Sequence, residues 1–455
     1  MKKLYPLLSV LFLIYWGCED EQQPEEVDTT PPNIIQLDEI TLNYNSFIFT
    51  WGKSLDQDFK SYYLFESSFE TMSDKNLLYT SDNVSDTTFT LNPIQFEYKY
   101  FQLVVEDSSG LTSESDIKIG DPWIRFQKSY NEDRGYHIFT DHNGNYIVNG
   151  RNNYGVVLLK VDFEGNLIWK KTIYNDDTTS DNDRIVQTTD YEYILNTYHN
   201  TYGEFWLIKF DSLGNEIDSR IIIGNDYSNY VSCYNSDSEI IIKSLNRISD
   251  EHYEIELKKV DSDFSDVWTK ENFFTINTDY DGKSLIIPTS DGGYIFNQST
   301  RSGEITNYQN YLFKTDFNGI HLWTTTYGDT TFYTKSITPS KDGGCIIIGH
   351  SNNQSLIIKV DFNGGVEWEK SFQSDVITYN PQSIKDLEDG YIILESNSYY
   401  NVTLMKKINT NGDLIWEKSF SDLVGSSVTE TYDEGFIFTG WDLFLIKTDS
   451  QGNVE

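Results

Sequence analysis

An all-β chain is what this sequence predicts, and three observations carry the expectation. Tyr 32, Phe 27 and Trp 10 make 15% of the 455 residues aromatic, and aromatic side chains favour strands. Apolar residues alternate with period two in runs such as Phe47-Ile48-Phe49-Thr50-Trp51. One phrase also recurs from Asp121 onward: an apolar run, then Lys-x-Asp-x-x-Gly-x-x-x-Trp. Lys+Arg 34 against Asp+Glu 71 leave a net charge of -37. Such a surface repels phosphate backbones and argues against nucleic acid as a partner. The aromatic content argues against disorder. Cys18, Cys233 and Cys345 are too few for a disulfide scaffold.

The first element is an address. Met1-Lys2-Lys3 is basic, and Leu4 to Gly17 is apolar apart from Pro6 and Ser9. A helix of that length covers about 21 Å, short of the roughly 30 Å hydrocarbon core. Residues 1–17 therefore read as a signal peptide. Tyr15-Trp16-Gly17-Cys18 resembles the lipobox of bacterial lipoproteins, a small residue followed by Cys. That resemblance implies acylation of Cys18, membrane attachment through the lipid, and an outer-membrane or cell-surface location. Residues 18–32 carry Glu19-Asp20-Glu21, Glu25, Glu26 and Asp28 without an aromatic, which predicts an acidic tether. Acidic runs after the lipid Cys resemble the surface-export signal of one group of Gram-negative lipoproteins.

Residues 33–120 come next. Phe47, Phe49 and Trp51 form one alternating face, and Phe101, Leu103 and Val105 another. Short strands and Gly/Ser/Asp turns over about 90 residues predict a β-sandwich. Asp28-Thr-Thr-Pro-Pro32, Phe49-Thr50-Trp51 with Asp56-Gln57-Asp58-Phe59, and Val105-Glu106-Asp107-Ser108-Ser109-Gly110 together resemble a bacterial fibronectin type III domain. The resemblance implies a spacer.

Residues 121–455 hold the repeats. Clean copies of the phrase stand at Lys160-Asp162-Gly165-Trp169, Lys314-Asp316-Gly319-Trp323 and Lys359-Asp361-Gly364-Trp368. Worn copies stand at Lys209, with Asp218 in the Trp slot, and at Lys259, with Phe264 in the Gly slot. Two more begin at Lys407 and Lys447, and in the last the Trp slot falls beyond residue 455. A second phrase precedes each copy, cleanest at Asp291-Gly292-Gly293 and Asp342-Gly343-Gly344. Both phrases are turns: Asp caps its own turn and Gly takes positive φ. The strands between them, such as Leu356-Ile357-Ile358, are apolar on both faces and need a sheet on each side. Seven four-stranded sheets stacked in this way describe a seven-bladed β-propeller; an open solenoid is the rival. Phe126-Gln-Lys-Ser-Tyr130 repeats the outer-strand phrase Trp368-Glu-Lys-Ser-Phe372 with no sheet before it. It is expected to supply the missing outer strand of the last blade and close the ring. The repeats resemble the Gly/Trp-rich, PQQ-like propeller repeats of secreted bacterial proteins. That family is defined by architecture, so the resemblance implies a fold and no activity.

Chemistry is sparse. His137, His142, His199, His252, His321 and His350 show no metal-ligand spacing. Cys233 and Cys345 are far apart in the sequence and are expected to be buried thiols, and no cofactor is expected. The 175–183 loop, Asn-Asp-Asp-Thr-Thr-Ser-Asp-Asn-Asp, is dense in oxygen donors and is a candidate for Ca²⁺. The connections opposite the Asp/Gly turns vary and carry Tyr154, Tyr198, Tyr202, Tyr308, Tyr399, Tyr400 and Trp441. Aromatic faces on variable loops suit a glycan or a protein ligand. The expected function is thus a monomeric, surface-displayed, lipid-anchored binding protein. The alternative is a propeller-type carbohydrate hydrolase or lyase, for which no acid/base constellation stands out. Cys18→Ser is expected to abolish acylation. Membrane partitioning after high-salt washing checks this: wild type stays in the pellet and the variant leaves it.

Overall fold

The computed structural model describes residues 28–131, 134–174, 184–199, 204–223, 229–235, 237–249, 252–276, 284–301, 308–352, 354–372 and 380–454. The chain divides into two compact units, one ending at Pro122 and one starting at Trp123.

In the first unit, Thr41–Asn43, Ser46–Thr50 and Thr88–Leu91 form one antiparallel sheet. Asn76–Ser81, Phe59–Ser67, Lys99–Asp107 and Thr112–Glu114 form the other, and Lys118–Gly120 also pairs with Lys99–Asp107. Phe47 and Phe49 from the first sheet meet Tyr62, Leu64, Phe101, Leu103 and Val105 from the second in a single core. Phe49 and Phe101 pack edge to face at 4.8 Å, an arrangement that suits the ring quadrupoles. Alternation holds in Ser46–Thr50. It fails in Lys99–Asp107, where Gln102 and Val104 on the opposite face are buried too. There the Gln102 amide donates to the Ser115 carbonyl at 3.1 Å, so the following segment covers that face.

Among the described residues the second unit holds seven four-stranded antiparallel sheets. Their first strands are Arg134–Thr140, Arg184–Gln187, Asn229–Tyr234, Ile286–Pro288, Tyr333–Pro339, Asn380–Asp386 and Gly425–Glu430. Six sheets take all four strands from consecutive sequence. In the seventh, Phe444–Thr448 pairs with Phe126–Ser129, with Lys447 opposite Phe126. Apolar clusters fill the spaces between successive sheets. Ile346, Ile348 and Ile357 of the fifth meet Ile384, Tyr391 and Ile393 of the sixth. Ile437 and Leu445 of the seventh meet Val148 and Leu159 of the first.

The recurring phrases resolve into three physical devices. The first is the turn. Asp162 Oδ1 accepts the backbone N–H groups of Glu164 and Asn166 at 3.0 and 2.7 Å, and Gly165 takes φ 78°. Where the other phrase is worn, Tyr191, Ser238 and Glu434 take positive φ without glycine, a strain of order 1 kcal/mol each.

The second device is a clamp. The repeated Lys pairs with the acidic residue of the first turn in every sheet. Lys160–Asp141, Lys209–Glu192, Lys314–Asp291 and Lys407–Asp389 are each 2.9 Å apart. Lys259–Glu239, Lys359–Asp342 and Lys447–Asp433 make the same pair. Lys160 also donates to the Tyr193 hydroxyl of the next sheet at 2.9 Å, and Lys314 to the Gly343 carbonyl at 2.9 Å. Burial alone would raise the Asp141 pKa; hydrogen bonds from Lys160 and Asn145 outweigh it and hold the carboxyl below its ordinary range. Asp291 and Asp342 are lowered by the same balance.

The third device joins the sheets. The outer-strand Trp of one sheet lies on the turn glycine of the next. A Cβ on Gly214 would stand 3.0 Å from Trp169, and one on Gly319 2.7 Å from Trp268. Trp323 on Gly364, Trp368 on Gly412, Trp416 on Gly452 and Phe126 on Gly165 repeat the contact. The remaining joint is inverted. Asp218 stands opposite Lys209, where Trp169 stands opposite Lys160. The turn of the third sheet presents buried Phe264 instead of glycine, packed among Ile194, Phe205 and Tyr230. Each joint thus holds one aromatic ring, supplied from either side.

Asp218→Trp alone is expected to destabilise by about 1–3 kcal/mol, since the joint would hold two rings. Adding Phe264→Gly is expected to recover most of the loss; denaturant unfolding of the two single variants and the double variant measures the coupling. Acid acts through the clamps. A carboxyl whose pKa is depressed on folding stabilises the fold above its unfolded pKa, about 3.9, and loses that contribution as pH falls through the folded value. The melting temperature is therefore expected to be level down to about pH 5 and to fall steeply below about pH 4. Asp141→Asn should lower it at neutral pH and flatten the acid limb in circular-dichroism melts.

Candidate functional site

The seven first strands surround a cavity of about 420 Å³. Its wall is largely isoleucine, serine and threonine, including Ile185, Ile286, Ile337, Ser336, Ser383 and Thr429. Arg184 and Lys385 are the charged exceptions, aside from His137 and His142. Among the described residues neither cation has an ion pair, although the chain carries a net charge of -37. Lys385 meets water within the cavity, yet desolvation by the wall lowers its pKa; Asp386 and Glu430 raise it through space and Arg184 lowers it further. Burial likewise lowers Arg184 and raises the Asp386 and Glu430 carboxyls. Two cations on a wall whose lining carries no carboxylate favour a carboxylate or sulfate group in the cavity.

In sheets with strand order one-two-three-four, the first-to-second and third-to-fourth turns share one end. The second-to-third connections gather at the other. Tyr154 lies there in the first sheet, between Tyr146–Asn152 and Gly155–Val161. Tyr399 and Tyr400 lie in the sixth, between Gly390–Asn397 and Val402–Asn409. Trp441 lies in the seventh, between Phe436–Gly440 and Phe444–Thr448. These sheets are consecutive around the ring. Tyr399 is 85% exposed, Tyr154 64%, Tyr400 55% and Trp441 38%. Asn397 Oδ1 accepts the backbone N–H groups of Tyr399 and Tyr400 at 2.9 Å, and the two rings meet edge to face at 4.8 Å. The Arg134 guanidinium, at the start of a first strand, sits 4.4 Å from the centre of the Trp441 ring.

The other sequence-predicted positions fall differently. Tyr198 belongs to strand Tyr193–His199, opposite Phe205, and Tyr308 starts strand Tyr308–Thr315, opposite Arg301. The expectation that both stand in loops is corrected. The hairpins run longer than the apolar pattern shows, because their ends are built from Asn, Ser, Thr and Tyr. Tyr202 and the 175–183 loop lie outside the described residues. Cys233 and Cys345 are buried free thiols, and burial pushes Cys345 up to about 12 and Cys233 higher. Neither is a nucleophile at neutral pH.

Arg184 and Lys385 were missed by sequence reasoning, although a signal for Lys385 exists. Ser336-Ile337-Thr338-Pro339 and Ser383-Ile384-Lys385-Asp386 occupy equivalent places before their turns. Aligning the copies shows a cation where the neighbour has threonine.

Four-stranded sheets set around a central cavity, each packed on the next, define a β-propeller. No family profile matches the chain, and a search of curated proteins finds no match. Among solved structures it is similar to an ulvan lyase of polysaccharide lyase family PL25, at 8% identity and a TM-score of 0.50, covering 72% of this chain and 97% of that one. It is also similar to the Dos1 propeller, at 14% identity and a TM-score of 0.46, covering 78% and 90%. The WD40 β-propeller domain of Doa1 matches at 13% identity and a TM-score of 0.46, covering 71% and 95%. Likeness at such low identity speaks to fold alone.

Proposed function

We propose that this protein is a lipid-anchored, surface-displayed binding protein whose seven-bladed propeller captures an acidic glycan. In this reading Cys18 carries the lipid and the acidic residues that follow it form a tether. The fibronectin type III-like sandwich is a spacer, and Phe126–Ser129 closes the ring. Among the described residues no helix is long and apolar enough to cross a membrane. One observation carries the binding reading: exposed Tyr154, Tyr399, Tyr400 and Trp441 gather at one end of three consecutive sheets. Flat rings on short, capped turns suit the faces of sugars and lose little entropy on binding. Arg184 and Lys385 in the cavity, without an ion pair among the described residues, favour a ligand bearing carboxylate or sulfate.

The test is a glycan array probed with the soluble protein beginning near Asp28. Retention of uronate-bearing or sulfated glycans over neutral ones is expected. Tyr399→Ala and Trp441→Ala should each weaken binding about ten-fold, the effect of losing about 1.4 kcal/mol. Arg184→Gln with Lys385→Gln should remove the preference for acidic over neutral sugars. Recovery of shortened glycan with new ends would replace binding by cleavage. Binding unchanged in all the variants would refute the placement.

A further inference from the structure

We propose that Asp28, Asp58 and Asp107 form a Ca²⁺ site that fixes the entry of the chain into the first unit. One carboxylate oxygen from each lies within 4.8 Å of the others. The three come from separate parts of the sequence. Asp28 precedes Pro31-Pro32, Asp58 lies just before strand Phe59–Ser67, and Asp107 ends strand Lys99–Asp107. The backbone joins two of them, because the Ser108 N–H donates to the Asp58 carbonyl at 2.8 Å.

The second observation is at Asp107, which is fully buried. Its Oδ1 accepts the N–H groups of Ser109 and Leu111 at 2.9 Å each. Among the described residues its Oδ2 has no hydrogen-bond partner. A buried carboxylate oxygen left bare is costly, more so beside two other carboxylates. Asp28 Oδ1 accepts only the Thr30 N–H at 2.9 Å. Among the described residues the Asp58 carboxylate makes no hydrogen bond. The nearby cation, Lys60, pairs with Glu106 at 2.9 Å instead. Lys60, whose charge Asp107 does reach, is thus already committed to Glu106, and among the described residues three close carboxylates are left to favour a cation from outside.

The donor set names the cation. All donors are oxygen, with neither imidazole nor thiolate, so the ion is hard. Three carboxylate oxygens that all lie within 4.8 Å of one another can share one Ca²⁺ with its flexible geometry, whereas Mg²⁺ demands a near-ideal octahedron and gives up its waters reluctantly. Few protein ligands and a partly open position match the weak extracellular class, with Kd of about 10⁻⁴–10⁻³ M. Bound Ca²⁺ would tie Asp28 to two strand ends of the unit, so the sandwich would begin rigidly where residues 18–27 leave off.

The experiment uses the mature full chain with Cys18→Ser to keep it free of lipid. Calorimetric titration with CaCl2 and with MgCl2 is compared with the same titrations of Asp58→Asn and Asp107→Asn. In Asp107→Asn the amide carbonyl oxygen still accepts from Ser109 and Leu111, so that variant keeps its turn. Near-ultraviolet circular dichroism checks the fold, and if Asp107→Asn unfolds, Asp58→Asn decides. The expected result is a Ca²⁺ event absent with Mg²⁺ and weakened at least ten-fold in each folded variant. It should be accompanied by a rise in melting temperature in wild type alone. No Ca²⁺ event in wild type, or the same event in the folded variants, overturns the site. Neither outcome depends on whether the propeller binds a glycan.

Discussion

A single aromatic ring lying on a bare backbone turn holds neighbouring sheets at their distance. The outer edge of each sheet is otherwise half polar: Val366–Phe372 and Leu414–Ser421 alternate exposed and partly buried residues. An indole there has to pack on something flat, and the next sheet offers a glycine turn. Trp323 closes the contact by donating its ring N–H to the Phe362 carbonyl at 2.9 Å, and Trp169 donates to the Ser212 carbonyl at 3.2 Å. Glycine is needed twice over, for positive φ and for the approach of the ring. The close-packed isoleucines further in follow from this spacing, since an interior packed like a crystal tolerates little change in the distance between its walls.

The lysine–carboxylate clamps act mainly within a sheet rather than between sheets. They bind the second turn of a sheet to its first and, at Lys160 and Lys314, reach into the following sheet. A buried ion pair is weak evidence of net stabilisation, because desolvation offsets much of the attraction. Its geometric effect is firmer. Lys314 is fully buried, and Asp291 and Gly343 satisfy two of its donors. A register slip of one residue would turn that ammonium to the other face of the strand and strand it without a partner. The cavity contrasts with this arrangement. There, among the described residues, Arg184 and Lys385 are cations without a clamp.

Much of this architecture is legible in the residues. The Asp-x-x-Gly phrase can be read as a capped turn because its chemistry is local: a side chain bonds the backbone two and four residues on. Phe126–Ser129 can be read as an outer strand because it repeats a phrase whose pairing is known elsewhere, and the structure pairs it with Phe444–Lys447. What escapes is whatever depends on contacts distant in sequence. The repeated Lys looks like punctuation until the structure places Asp141 beside Lys160. Asp218 and Phe264 look like two independent decays of a motif, and only packing shows that they face the same joint. The site is less legible still. Exposed Tyr399 and Trp441 follow from their turns, but Tyr198 and Tyr308 sit in polar hairpin ends that periodicity cannot delimit. Arg184 and Lys385 gain their meaning from the closed ring around them.

The inverted joint bears on how such a ring can change over generations. A ring closed by like contacts could lose, gain or exchange whole sheets, because each edge would fit any neighbour. Here the outer strand of the second sheet carries Asp218 and the turn of the third carries Phe264, so each fits the other and neither fits a standard edge. A duplicated standard sheet inserted between them would meet no ring on one side and two on the other. That pair of residues ties the second sheet to the third and marks one place in the circle from which the order of its members can be counted.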